Sequence, residues 1–221
     1  MDVVCSEPAP GLPESTVTRL PGYLRALQAL HETGAVTTSS GELAQLAGVQ
    51  PALLRRDLSY LGSFGTRGVG YVVETLIDAI GRVVGSRDDW PVVILGVGSL
   101  GRALARHHGL GRRGFNVVAL VDVDPRIIGT RVAGVTVCAL DELADVVRRA
   151  RPVIGILTTP PEVAQDCADR LVAAGVRRIL TFAAAPLEVP PEVTVRQVDL
   201  AREMQVLVYH ELARPDAATP A

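Results

Sequence analysis

Leucines set the rhythm of the first eighty residues. Leu20, Leu24, Leu27 and Leu30 recur at helical spacing, with the polar His31 just beyond the stripe. In the following TTSSGE, Ser39 stands three residues before Glu42, a capping box that opens a short helix from Gly41 to Ala47, closed by Gly48. Gln50 and Pro51 open a third helix, whose buried stripe is Leu54, Leu58 and Leu61 and whose stop is Gly62. SFGTRGVGYVV then alternates glycines with β-formers, as a short hairpin does, and Glu74 to Val84 reads as a closing amphipathic helix. Helices, a tight turn and a glycine-rich hairpin in this order make a winged helix-turn-helix pattern.

After GSRDDWP the rhythm changes. Predicted strands at Val92–Leu95, Asn116–Val121, Val153–Thr158 and Arg178–Phe182 alternate with predicted helices at Ser99–His108, Asp141–Ala150 and Glu162–Ala174. Gly134–Cys138 adds a short β-like piece and Val193–Val198 a last strand. This alternation implies parallel βαβ units with right-handed crossovers, hence an α/β fold with a doubly wound sheet. Asp199 caps a final helix, Leu200 to about Leu212, with an apolar stripe of Leu200, Met204, Leu207 and Val208 widened by Val206. Such a helix docks on its own domain or on a second subunit. The second is favoured, because helix-turn-helix proteins dimerise to match two half-sites. The expected organisation is a disordered tail over 1–18, a winged-helix domain over 19–85, a nucleotide domain over 91–198, a dimerisation helix over 199–212 and a second tail over 213–221.

Composition narrows the chemistry. All 22 basic residues among the 221 are Arg, so a P-loop lysine, a Schiff-base lysine and a lysine general base are excluded. The net charge of -2 makes no global case for nucleic acid, so DNA binding has to rest on local geometry. Cys5, Cys138 and Cys167 are scattered, with neither a CxxC nor zinc-ligand spacing. No apolar run approaches the roughly 18 residues of a membrane span, and the N-terminus lacks the features of a secretory signal, so a cytoplasmic protein is expected.

VVILGVGSLGRAL carries the clearest chemistry. Gly96, Gly98 and Gly101 match G-x-G-x-x-G between a predicted strand and a predicted helix. The first permits the turn, the second lets backbone approach a pyrophosphate, and the third lets helix and strand pack closely. Ser99 and Leu100 lie over the pyrophosphate if the loop is standard. Asp122 stands about 20 residues on, where an acid accepts from the adenosine ribose and disfavours a 2′-phosphate, so NAD(H) is expected over NADP(H). Arg126 and Arg131 nearby argue the other way. Thr158, Thr159 and Pro160 follow a buried strand at its carboxyl end, the place where open α/β sheets bind ligands, and can line the nicotinamide side. A related nucleotide such as coenzyme A stays open.

A dehydrogenase needs an acid–base group, usually on a second domain. Here one helix follows the nucleotide fold, and His107, His108 and His210 have no evident carboxylate partner in the sequence. That favours a sensor. A small NAD-dependent reductase with a regulatory N-terminal domain is the rival reading, and an assembly subunit without DNA contact a third. In the first domain Arg55, Arg56, Ser59 and Tyr60 face away from the leucine stripe and Arg67 sits in the hairpin; with one acid, Asp57, the stretch is locally basic. It is either a DNA-contacting face or a solvated one.

LPGYLRALQAL, LLRRDLSYLGSFGTRGVGY, ILGVGSLGRAL, RLVAAGVRRILTFA and VDLAREMQVL together resemble the Rex family of redox-sensing transcriptional repressors, over about Leu20 to Leu212. The resemblance implies a homodimer on a palindromic double-stranded operator, released by NADH, with NAD⁺ competing weakly or favouring the DNA-bound form, and with the C-terminal helix swapped between subunits. It implies DNA contacts from Arg55, Arg56 and Ser59 and from a wing with Arg67, Gly68 and Gly70. It implies nucleotide contacts from Gly96, Val97, Gly98, Ser99, Leu100, Gly101 and Asp122. Asp199 and Arg25 correspond to a pair that exchanges partners between redox states. His107 stands where the family usually has a Tyr close to the nicotinamide, and Thr181 where it often has Asn.

Overall fold

The computed structural model describes residues 11–66 and 69–212, and divides between Asp88 and Asp89 into two units. The first unit opens with α1 (Glu14–Glu32). This helix starts inside the stretch expected as a disordered tail, because Thr16 is buried and hydrogen-bonded to Asp57. β1 (Thr37–Thr38), α2 (Ser40–Leu46), α3 (Pro51–Ser59), β2 (Gly65–Thr66), β3 (Gly70–Val72) and α4 (Val73–Val83) complete it. Leu20, Leu24, Leu27, Leu43, Leu54, Leu58, Leu76 and Ile80 make its core.

Two local features depart from the sequence reading. Ser39 accepts from the Glu42 backbone N–H at 3.0 Å, but the Glu42 carboxylate accepts from the Thr38 hydroxyl at 2.8 Å rather than closing the box. The hairpin also gains a third strand, in the order β1-β3-β2 with antiparallel pairing. That close approach needs Gly70: its φ is +91°, and a Cβ there would lie 2.4 Å from the Thr38 carbonyl oxygen.

The second unit is a seven-stranded sheet. Its elements are β4 (Trp90–Leu95), α5 (Ser99–Ala105), α6 (His108–Gly111), β5 (Phe115–Asp122), β6 (Arg131–Val132), β7 (Val135–Ala139), α7 (Leu143–Ala150), β8 (Ile154–Leu157), α8 (Pro161–Ala173), β9 (Arg178–Thr181), β10 (Thr194–Gln197) and α9 (Leu200–Leu212). The strand order is β10-β9-β8-β4-β5-β7-β6, parallel throughout except for the β6–β7 edge. Counted from β4 and leaving out that edge strand, this is the 3-2-1-4-5-6 arrangement of a dinucleotide fold. Val93, Leu95, Val121 and Leu157 pack against α7 and α8 through Leu143, Val147, Ala168 and Leu171. Val92, Ile94, Leu120 and Ile156 form a core on the other side of the strands, joined by Leu104 and Phe115. The helix expected to run from Ser99 to His108 stops at Ala105, and His107 becomes the N-cap of the separate α6.

Candidate nucleotide and nucleic-acid sites

β4 runs to one side of the sheet through β5 and β7, and to the other through β8 and β9, so the strand order reverses between β4 and β8. In open α/β sheets the crevice at that switch point, beyond the carboxyl ends of the strands, is the ligand site. A cavity of about 460 Å³ lies there. Its walls include Gly96 and Gly98 after β4, Asp122 at the end of β5, and Thr158, Thr159 and Pro160 after β8.

The loop between β4 and α5 is held by its own backbone. Gly96 has φ +91°, and a Cβ on it would lie 2.9 Å from the Thr158 carbonyl group. A Cβ on Gly101 would lie 2.0 Å from the Gly96 carbonyl oxygen. By contrast, a Cβ on Gly98 would meet nothing within 4 Å. Two of the three glycines therefore serve the packing of the chain, and the third leaves space the chain does not use. The Thr158 hydroxyl donates to the Gly96 carbonyl at 2.6 Å, and Arg102 Nε to the Val97 carbonyl at 2.8 Å. Val97 is fully buried under the turn, while Ser99 and Leu100 are exposed at the start of α5.

Asp122 closes the loop from the neighbouring strand. Its Oδ2 accepts from the Val97 N–H at 2.5 Å, and its Oδ1 from the Val123 and Asp124 N–H groups at 2.7 and 2.9 Å. A carboxylate has about four acceptor positions, so the three bonds orient it and leave one position free. Arg126 is taken up by Asp124, with Nη2 to Oδ2 at 2.7 Å. Its side-chain and backbone N–H groups hold the Asp124 carboxyl at about 2, well below the usual carboxylate range. Arg131 donates to the Gly134 carbonyl.

Sequence spacing did not reveal the far wall. Leu140, Val163, Asp166, Cys167 and Arg170 line the same cavity from α8 and the turn after β7. The signal was weak, because these residues look like the ordinary inner face of a covering helix. Arg170 Nε donates to Asp166 at 2.9 Å. Burial pushes the Cys167 thiol up, away from thiolate. The Thr159 hydroxyl oxygen is buried beside the Cys167 thiol.

The structure places His107 elsewhere. Its ring packs over Gly109, where a Cβ would lie 2.6 Å from the ring. It lines a second cavity of about 540 Å³ with Arg106, His108, Phe115 and Asn116, which shares no residue with the first. Thr181 is buried and donates nothing to the cleft; its hydroxyl accepts from the Ala183 N–H at 3.1 Å. Asp199 caps α9, accepting from the Arg202 N–H at 3.1 Å. Arg25 is exposed on α1.

In the first unit, α3 turns Leu54 and Leu58 inward and Arg55, Arg56 and Ser59 outward, followed by the exposed Tyr60. These side chains make light local contacts: Arg55 Nη1 donates to Ser40 Oγ at 3.2 Å, Arg56 Nε to the Tyr60 hydroxyl at 3.4 Å, and Ser59 Oγ to the Arg56 carbonyl at 2.7 Å. Asp57 does not share the face, so the acid that offsets the arginines in the sequence is absent from the surface they form. Gly70 is fixed against β1, while Arg67 and Gly68 lie outside the described residues. Among the described residues there is no cluster of three or more His, Cys, Asp or Glu side chains suited to a metal, and no helix long and apolar enough to cross a membrane.

Known proteins bear on both units. Residues 11–59 match a family model described as the N-terminus of putative DNA-binding proteins, and residues 87–185 one described as a CoA binding domain. The redox-sensing transcriptional repressor Rex of Streptomyces griseus is 55% identical over 201 residues, covering 91% of this chain and 79% of its own. That of Desulfitobacterium hafniense is 46% identical over 199 residues, covering 90% and 95%. The crystal structure of RSP in complex with β-NAD⁺ and operator DNA superposes with a TM-score of 0.86 at 33% identity, covering 92% of this chain and 94% of that one. RSP in complex with β-NADH gives 0.83 at 32% identity, covering 90% and 93%. A winged unit with an exposed arginine face, followed by a glycine-loop sheet and matched over nine-tenths of its length by such relatives, belongs to the Rex family of redox-sensing transcriptional repressors.

Proposed function

We propose that this chain is a repressor that binds operator DNA as a homodimer in the cytoplasm and lets go when its second unit takes up NADH. The observation that carries this is the cleft at the switch point. Gly98 leaves open space, Asp122 is fixed with an acceptor position to spare, and Thr159 brings a buried hydroxyl to the wall. In this reading the backbone N–H groups of Gly98 to Gly101 hold the pyrophosphate, those of Gly96 and Val97 being taken by Val121 and Asp122, and no side chain caps α5 to compete for them. Asp122 takes the adenosine ribose. Thr158, Thr159 and Pro160 face the nicotinamide half. The bound nucleotide supplies redox information and is not turned over. The cleft holds no histidine, and its thiol is kept protonated by burial.

Arg55, Arg56, Ser59 and Tyr60, with the wing of Arg67, Gly68 and Gly70, contact the duplex. α9 docks on a second copy: Leu200, Met204, Leu207, Tyr209 and Leu212 are each more than half exposed on their own chain. Arg25 and Asp199 are the exchanging pair, and His107 contributes at the nicotinamide end only if the partner brings it there. Linkage sets the mechanism: the dimer must hold NADH more tightly in the arrangement that cannot span two half-sites, and only that difference releases DNA. The test is a gel shift on an operator duplex selected by the protein itself, with NADH and NAD⁺ added separately. Release by NADH at concentrations where NAD⁺ has little effect is expected. Equal retention under both overturns the reading, and steady NADH oxidation with a carbonyl substrate would make the protein a reductase.

A further inference from the structure

Among the described residues Asp57 is the only charged side chain in the buried class, at 1% exposure. It lies in the last turn of α3, between Arg56 and Leu58. A carboxylate there would be costly if isolated, so its partners matter. Three residues of α1 supply them. Thr16 Oγ1 donates to Oδ1 at 2.8 Å, Arg19 Nε and Nη2 donate to Oδ2 and Oδ1 at 2.6 and 2.8 Å, and the Tyr23 hydroxyl donates to Oδ2 at 2.6 Å. Residues 16, 19 and 23 share one face of α1. Burial by itself would raise the Asp57 carboxyl; the donors of Arg19, Tyr23 and Thr16 outweigh it and hold the group below its usual range, so it is ionised.

Such a cluster does what leucines cannot. Leu54 and Leu58 tolerate a small roll of α3, since apolar contact has little directionality. A two-pronged guanidinium–carboxylate pair does not, because both prongs must stay in plane. A roll of about 20° moves side-chain tips carried roughly 5–6 Å from a helix axis by about 2 Å. That is enough to break a bidentate contact with a base edge while leaving looser phosphate contacts in reach.

We propose that Asp57, held by Arg19, Tyr23 and Thr16, is a positioning residue that sets the roll of α3, so that recognition of operator sequence depends on a carboxylate that never touches DNA. This rests on the reading of α3 as the DNA-contacting helix.

The test uses the full-length protein and fluorescence anisotropy on two duplexes, the selected operator and a scrambled one, with NADH titration as a check of the other unit. Asp57→Asn keeps the shape and removes the charge. It should weaken operator binding at least about tenfold while changing scrambled-duplex binding and NADH affinity by less than about twofold. Its slope of log affinity against log salt should match wild type, as no phosphate contact is lost. Tyr23→Phe removes one donor, is the milder variant should Asp57→Asn fail to fold, and should cost the operator about threefold. Arg19→Lys should recover part of the operator affinity lost in Arg19→Ala. A parallel fall on both duplexes would show simple loss of folded protein and overturn the proposal, as would a wild-type operator affinity in Asp57→Asn and Tyr23→Phe. A flatter salt slope in Arg19→Ala would make Arg19 a phosphate contact, against the positioning role. Arg56→Ala is the control for the underlying reading: if it leaves operator binding intact, α3 is not the DNA-contacting helix, whatever Asp57 does.

Discussion

The two candidate sites are built from opposite materials. The nucleotide cleft is made of backbone: glycines pressed against carbonyl groups, main-chain N–H groups closed by Asp122, and a hydroxyl buried at Thr159. The DNA face is made of side chains: Arg55, Arg56, Ser59 and Tyr60 project into solvent, and what rigidity they have comes from behind. The difference follows from what each must hold. A small ligand that is to shift an equilibrium needs a preformed enclosure. A duplex offers repeated phosphates and base edges, which long side chains can reach from a fixed helix.

Substitutions can sharpen this contrast. The largest effect is expected from Gly101→Ala, whose Cβ meets backbone at 2.0 Å. It should destabilise the second unit and weaken NADH by about a hundredfold or more, near 2.7 kcal/mol, by fluorescence titration and thermal unfolding. Gly98→Ala, whose Cβ meets only open space, should leave unfolding unchanged and still impair NADH binding. Equal unfolding behaviour in the two would break the distinction between packing and ligand glycines. On the other face, Arg56→Ala should cost the operator about 1–3 kcal/mol and leave NADH affinity untouched, as measured by anisotropy and calorimetry. Asp122→Ala should weaken NADH about tenfold, near 1.4 kcal/mol; an unaltered titration would remove Asp122 from the site.

The smallest effect concerns acid. Asp57 is held below its unfolded value, so its contribution to stability is complete above about pH 3.9 and is lost as pH falls through its folded value. Acid unfolding of the first unit, followed by circular dichroism, should therefore steepen below about pH 4 in wild type and be flatter in Asp57→Asn.

What could be read from the chain follows the same division. The glycine loop and Asp122 were legible because a backbone enclosure imposes fixed spacing on residue type. The outward face of α3 was legible because leucines at 54 and 58 fix the other face. The far wall of the cleft was not, since Leu140, Val163 and Cys167 come from elements joined only by the sheet's topology. Asp57 was misjudged as one more surface charge, because its partners lie 34 to 41 residues away on a helix expected to begin later. The break at His107 escaped notice because ARHH, the end of the expected helix, carries neither proline nor glycine to mark it. The two-residue β1 was hidden in a segment that also caps α2.

α9 carries a last consequence. Its thirteen residues bury none of their apolar side chains on their own chain, so whatever this helix adds to stability arrives only when another molecule covers it. Melting temperature should then climb with protein concentration, and a cell making too little of this chain would lose part of its stability as well as the occupancy of its sites on the chromosome.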